Sequence, residues 1–80
     1  MKNIIIRKPK FMRNDKLMHE WIQIAQNIQK QIKENELMDS LYADLWDSWW
    51  NCIRSATKAG GFFNVDSFME WTKRENIKLM

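Results

Sequence analysis

The chain has 80 residues and a formal net charge of +3, and with 45% apolar and 29% charged residues it has the composition of one globular domain. One cysteine and one histidine exclude an internal disulfide and a cysteine-based zinc site. No apolar run exceeds three residues, so the sequence predicts neither a membrane span nor a signal peptide, and we expect a cytoplasmic protein.

Residues 1–13 form a predicted arm that lacks helical periodicity and carries most of the positive charge. Residues 1–16 contain six basic residues and one acidic residue, whereas residues 17–71 contain four basic and eight acidic residues. Lys8-Pro9 favours an extended backbone, because the residue before proline avoids the α region, and Ile4-Ile5-Ile6 is typical of one short strand. We predict that the arm's apolar residues pack on the body, and that removing the arm leaves the body folded.

The first helix is predicted over residues 15–35, with Asn14 or Asp15 as its N-cap. Apolar residues recur there at alternating spacings of three and four, which is the pattern of one buried helical face. The central line of this face is Met18, Trp21, Ala25, Ile28 and Ile32, and it is widened by Leu17 and Ile24.

A second helix is predicted over residues 40–58, after a short link at residues 35–38. Asp39 or Ser40 is expected to cap it, and Gly60 is expected to end it, because glycine adopts the left-handed conformation without steric cost. The two phenylalanines of the turn at residues 60–63 are expected to fold back onto the core.

The third helix is predicted over residues 65–75, with Asn64 or Asp66 as its cap and Asn76 as its end. Its inner face holds Val65, Phe68, Met69, Trp71 and Thr72. Short connections favour antiparallel neighbours. The predicted fold is therefore all-α: a small three-helix bundle at residues 14–80 with an extended basic arm at residues 1–13.

Helix 2 carries more apolar surface than one buried face needs. At 100° per residue, Trp49 shares the core face with Leu41, Tyr42, Leu45, Cys52, Ile53 and Ala56. Trp50 falls on a second line with Ala43, Trp46 and Thr57, beside Asp47 and Arg54. A bundle this small cannot easily cover both faces. We predict that Trp50 and part of Trp46 are exposed, unless the arm or the turn covers them.

The predicted function is non-enzymatic binding of a protein partner through Trp46, Trp50 and Arg54, since exposed tryptophan beside arginine is typical of binding hot spots. A composition rich in Lys, Ile and Asn is typical of small accessory proteins of phages and mobile elements. The sequence thus indicates a viral-type modulator or inhibitor that occludes a partner's surface. A homodimer through helices 1 and 2 is an alternative way to cover the second face.

The alternative function is nucleic-acid binding by the arm. Its cations would neutralise phosphates with a salt-dependent affinity, and Phe11 would stack on a base. The residues in question are Lys2, Arg7, Lys8, Lys10, Phe11 and Arg13. The acidic body weakens this alternative, because no helix carries a basic stripe.

Catalytic chemistry has little material in this chain, and we expect no cofactor or metal. Asp44 and Asp47 lie three residues apart on the polar side of helix 2, where a solvated face is the simpler interpretation than a cation site or an acid–base pair. His19 lies on a helix surface, and Cys52 points toward the core, where it acts as a small apolar residue.

Overall fold

The computed structural model describes residues 7–34 and 39–79, except for the side chains of residues 39 and 40. It contains three α-helices, α1 (Asp15–Glu34), α2 (Asp39–Ala59) and α3 (Val65–Arg74), preceded by a 3₁₀ turn at Lys10–Met12. These ranges contain no strand, and the protein is the all-α three-helix bundle that the periodicity predicts. The predictions for Lys2, for the Ile4-Ile5-Ile6 strand, for the link at residues 35–38 and for capping by Asp39 or Ser40 lie outside the described residues.

Helices α1 and α2 pack antiparallel along their length. Asn14 caps α1, since its side-chain oxygen accepts a hydrogen bond of 3.0 Å from the amide of Leu17. The backbone amide of Asn14 donates in turn to the carbonyl of Ala59, at 2.7 Å. Nearer the middle of the pair, Trp49 Nε1 donates to Gln29 Oε1 at 2.8 Å. The start of α1 therefore meets the end of α2, as a short link requires.

The core lies between these two helices and is closed by α3. Its buried apolar residues are Met18, Ile22, Ala25, Ile32, Trp49, Cys52, Ile53, Ala56, Phe62 and Phe68. Phe62, Phe68 and Trp71 form an aromatic cluster with ring centroids 5.5–6.3 Å apart. Each such ring buries about 150–250 Å², so a few aromatics supply much of the burial in a chain this short.

Gly61, and not Gly60, takes the left-handed position that ends α2. Its φ is 75°, its amide donates to the carbonyl of Lys58, and the amide of Phe62 donates to the carbonyl of Thr57. These are the two hydrogen bonds of a Schellman motif. The prediction for Gly60 is wrong by one residue, because α2 continues to Ala59 and Gly60 is still stabilised by the last helical turn.

The ends of α3 follow the prediction. Asn64 caps the helix by accepting a 2.8 Å hydrogen bond from the amide of Ser67, and Asn76 ends it with a φ of 60°. The preceding turn differs from the prediction, because only Phe62 enters the core while Phe63 is exposed. Phe62 pairs with Arg7 in an isolated bridge and the chain bends directly after it, so the ring of Phe63 points away from the core.

Helix α3 and the tail after it cover one side of the α1–α2 pair. The His19 ring lies 6.1 Å from that of Trp71, and Gln29 Nε2 donates to the carbonyl of Lys78 at 3.2 Å. Leu17 and Ile24 lie on the other side of α1 and are about two-fifths exposed, so the prediction that they widen the buried face is wrong. None of the described helices is long and apolar enough to cross a membrane.

Candidate functional site

Four aromatic side chains of α2 form a continuous series of edge-to-face contacts. Ring centroids are 6.2 Å apart for Tyr42 and Trp46, 5.3 Å for Trp46 and Trp49, and 5.0 Å for Trp49 and Trp50, with interplanar angles of 77–81°. Trp49 is 1% exposed, whereas Trp50 is 42% exposed. A buried, hydrogen-bonded tryptophan thus supports an exposed one, and Trp50 is presented to solvent on a rigid base.

Arg54 lies one helical turn after Trp50, on the same side of α2. Its side chain is exposed, and Nη1 donates a 3.3 Å hydrogen bond to Asn51 Oδ1. Trp46, Trp50 and Arg54 together are called the Trp50 surface below. Thr57, predicted to extend this line, is instead buried, and its hydroxyl donates to the carbonyl of Ile53 at 2.8 Å. The Trp50 surface therefore ends at Arg54.

The described part of the arm does not cover the Trp50 surface. It packs at the C-terminal end of α2, where Lys8 donates from its amide to the carbonyl of Gly61 and Asn14 to that of Ala59. Trp50 lies about 13 Å from Ala59 along the helix axis, at 1.5 Å per residue. The turn after α2 lies at the same end, so residues 7–14 and the turn are both distant from Trp50.

Residues 7–14 and residues 59–62 form a contact that we call the junction. Arg7 is its centre. Its Nε and Nη2 atoms donate to the carbonyl of Gly60 at 3.0 and 2.9 Å, and Nη2 also donates to Asp15 Oδ1 at 2.8 Å. Its guanidinium carbon lies 4.3 Å from the centroid of the Phe62 ring and 5.3 Å from that of Trp71. One side chain thereby connects the arm, α1, the end of α2 and α3.

The junction also satisfies the carbonyl groups that the end of α2 leaves without helical partners. Three successive carbonyls, those of Ala59, Gly60 and Gly61, accept from Asn14, Arg7 and Lys8 respectively. The helix dipole places partial negative charge at this end, which favours a cation there. Burial, followed by the charge of Arg13, lowers the pKa of Arg7, while the carboxylate of Asp15 acts in the opposite direction.

Two of the cations predicted to contact phosphate are engaged within the protein. Arg7 is part of the junction, and Arg13 donates to the carbonyl of Lys8 at 3.2 Å and lies 3.5 Å from Asp15 Oδ1. Lys8 and Lys10 are exposed, and Phe11 is 86% exposed on the 3₁₀ turn. Phe11 and Met12 thus do not pack on the body as predicted, because the contacts with the body are made by residues on either side of the turn, such as Lys8 and Asn14. No local pattern marks Arg7, whose partners are distant along the chain.

The residues considered for catalysis do not converge. Asp44, Asp47 and His19 are exposed, and Cys52 is buried, which raises the pKa of its thiol. Within residues 7–34 and 39–79, no group of three or more His, Cys, Asp or Glu side chains could hold a metal ion. An open concavity of about 460 Å³ at the end of α3 is lined by Lys73, Asn76, Ile77, Lys78 and Leu79.

Compared with protein-family models, with curated proteins and with solved structures, the chain matches none of them.

Proposed function

We propose that the protein binds another protein through the Trp50 surface and acts by occluding the bound surface, as a modulator or inhibitor and not as an enzyme. The observation that carries this proposal is the contrast between Trp49 and Trp50. Adjacent tryptophans are in edge-to-face contact, yet one is buried and the other is 42% exposed. A large apolar ring exposed on a rigid support loses little conformational entropy on binding, which is the property of an interface anchor.

The chemistry of the Trp50 surface defines the partner. Trp50 and the half-buried Trp46 offer an apolar centre, and the exposed guanidinium of Arg54 offers donors at its edge. Arginine forms paired hydrogen bonds with carboxylates. We therefore propose a partner surface with an apolar pocket for the indole ring of Trp50 and an Asp or Glu side chain beside it. The Lys-, Ile- and Asn-rich composition supports a phage- or mobile-element-type origin for such a small binding protein.

The test is affinity purification from cell extract with four forms of the protein: the unmodified chain, Trp50→Ala, Arg54→Ala and Phe63→Ala. Phe63 is the matched control, because it is an exposed aromatic residue at the turn after α2. We expect one polypeptide to co-elute in stoichiometric amount after nuclease treatment, to be lost with Trp50→Ala and Arg54→Ala, and to be retained with Phe63→Ala. Retention by Trp50→Ala, or loss of all binding on nuclease treatment, would contradict the proposal.

A second candidate function rests on the exposed part of the arm. Phe11 projects from a turn fixed to the body by the junction, with the exposed cations Lys8 and Lys10 beside it. An aromatic ring between cations fits single-stranded nucleic acid, in which bases stack and phosphates pair with lysine. Binding of a fluorescent oligonucleotide should then weaken steeply with salt and be lost in Phe11→Ala. Binding that is insensitive to salt and to Phe11→Ala would rule this candidate out.

A further inference from the structure

We propose that the tail, residues 77–79, positions the Trp50 surface and that it acts through the amide group of Gln29 and the ring of Trp49. The tail contributes no side chain to the Trp50 surface. Its role is to keep the supporting ring of Trp49 in one orientation, so that Trp50 is presented in one orientation as well. This inference rests on the proposed function, because it concerns how the proposed binding surface keeps its shape.

Trp49 is the ring on which the Trp50 surface rests. It contacts Trp46 and Trp50 edge to face, with centroids 5.3 and 5.0 Å away. Trp49 is 1% exposed, and its indole N–H can only donate, so this buried group requires an acceptor. Gln29 Oε1 is that acceptor, at 2.8 Å from Trp49 Nε1. The hydrogen bond therefore sets the rotation of the ring that supports Trp50.

The amide group of Gln29 is oriented by two partners that it cannot exchange. Its Oε1 atom accepts from Trp49, while its Nε2 atom donates to the carbonyl of Lys78 at 3.2 Å. The indole can only donate and the carbonyl can only accept. A half-turn of the amide would thus set donor against donor and acceptor against acceptor. The Lys78 carbonyl therefore selects the amide orientation in which Trp49 has its acceptor.

The tail is held against the body by contacts that do not involve Gln29. The amide of Ile77 donates to the carbonyl of Thr72 at 2.9 Å. Ile77 and Leu79 are both partly buried against the core, on either side of Lys78. The position of the Lys78 carbonyl is therefore set by the packing of the tail, and Gln29 transmits that position to α2.

Loss of the tail removes the partner that distinguishes the two orientations of the Gln29 amide. Trp49 Nε1 then faces a donor for part of the time. A net hydrogen bond corresponds to a change of about 2- to 10-fold in an equilibrium constant. The rings of Trp49 and Trp50 then sample further orientations, and a less ordered anchor loses more conformational entropy on binding. Partner affinity should fall by a similar factor.

The test is deletion of residues 77–80, made both in the unmodified chain and in Gln29→Glu. A carboxylate has two acceptor oxygens, so it can accept from Trp49 whichever way it is rotated and needs no orienting partner. Nuclear magnetic resonance of the indole N–H groups provides the measurement. With Gln29 in place, the deletion should shift the Trp49 and Trp50 indole signals and accelerate solvent exchange of the Trp49 indole proton by about 2- to 10-fold. In Gln29→Glu the deletion should change neither.

Gln26→Leu is the matched control. Gln26 Nε2 donates to the same tail carbonyl, at 3.5 Å, but no hydrogen bond joins Gln26 to Trp49. This substitution should leave both indole signals unchanged. Circular dichroism checks folding, and Leu79→Ala, which loosens the tail of the full chain, takes the place of the deletion if the shortened chain does not fold. Unchanged indole signals on loss of the tail, or equal changes with Gln29 and with Gln29→Glu, would overturn the proposal.

The indole signals are measured without a partner, so this inference and the proposed function fail separately. Indole signals that ignore the tail would overturn the positioning role and leave capture of a partner by the Trp50 surface intact. Failure of the unmodified chain to capture a partner would contradict the proposed function, while the response of the indole signals to the deletion would still decide whether the tail orients Trp49.

Discussion

The guanidinium of Arg7 lies over the ring of Phe62, 4.3 Å from its centroid, and an isolated antiparallel bridge pairs the backbones of the same two residues. This relationship attaches the arm to the body. The cation contacts the aromatic face while its nitrogen atoms donate to Gly60 and Asp15. From Arg7 onward, the basic arm is therefore packed against the folded body and is not a solvated extension.

Arg7→Lys is expected to destabilise the protein by about 1.5–3 kcal/mol, the usual range for hydrogen bonds to charged groups. Lysine keeps the charge but cannot donate from two nitrogens to one carbonyl or lie flat on a ring. Urea unfolding measures the difference. Lys8→Ala, which retains the backbone hydrogen bond to Gly61, is the control and should change stability by less than about 0.5 kcal/mol. Equal effects of the two substitutions would show that the junction contributes little.

Removal of residues 1–13 should lower stability as well, contrary to what the arm's composition indicates. The deletion removes Arg7 and the amide of Lys8, leaving the carbonyls of Gly60 and Gly61 without these donors. Thermal unfolding of the truncated chain should occur at a lower temperature than that of the full chain. An unchanged melting temperature would mean that residues 14–80 fold independently of the arm.

Gly61→Ala should destabilise the protein by about 1–2 kcal/mol from its left-handed conformation alone. A Cβ atom there would also lie 2.9 Å from Cβ of Arg13, which the junction holds in place. Hydrogen exchange provides the specific measurement, because the Lys8 amide donates to the Gly61 carbonyl. In Gly61→Ala, the protection of the Lys8 amide from exchange should fall more than the protection of amides in the middle of α1. An equal loss of protection at Lys8 and in α1 would instead indicate global destabilisation only.

Trp49→Ala and Trp50→Ala should have opposite consequences. Trp49→Ala creates a cavity and leaves Gln29 without its indole donor, with an expected cost of about 3–5 kcal/mol. Trp50→Ala removes a ring that is already 42% exposed and should leave folding nearly intact. Partner binding should instead weaken by about 2 kcal/mol or more. Thermal melts distinguish the two, and an equal loss of stability would place Trp50 in the core.

The buried thiol of Cys52 should make stability fall at alkaline pH. Burial raises the pKa of Cys52 above that of the unfolded chain, which is near 8.5 for an ordinary cysteine, so about pH 8.5 marks the onset. The unfolded chain then loses a proton that the folded chain keeps, and stability falls as pH rises through the pKa of the folded thiol. Above that pH, the melting temperature of the unmodified chain should fall more steeply with pH than that of Cys52→Ala. Equal slopes would contradict a raised pKa for the Cys52 thiol.

The sequence alone determined the helices, because their signals are local. Periodic apolar residues and side-chain caps act within a few residues of one another, and Asn14, Asn64 and Asn76 occupy the cap positions that this pattern predicts. The burial of Trp49 and the exposure of Trp50 also follow from the 100° step of a single helix.

Tertiary structure decided which apolar residues are covered and which cations are free. Leu17 and Ile24 belong to the apolar face of α1, yet they are exposed because α3 and the tail pack on the other side. Arg7 reaches Gly60 across 53 positions of the chain, a contact for which no local pattern exists. Both outcomes depend on how separate elements meet, and a one-dimensional pattern of residues does not specify that.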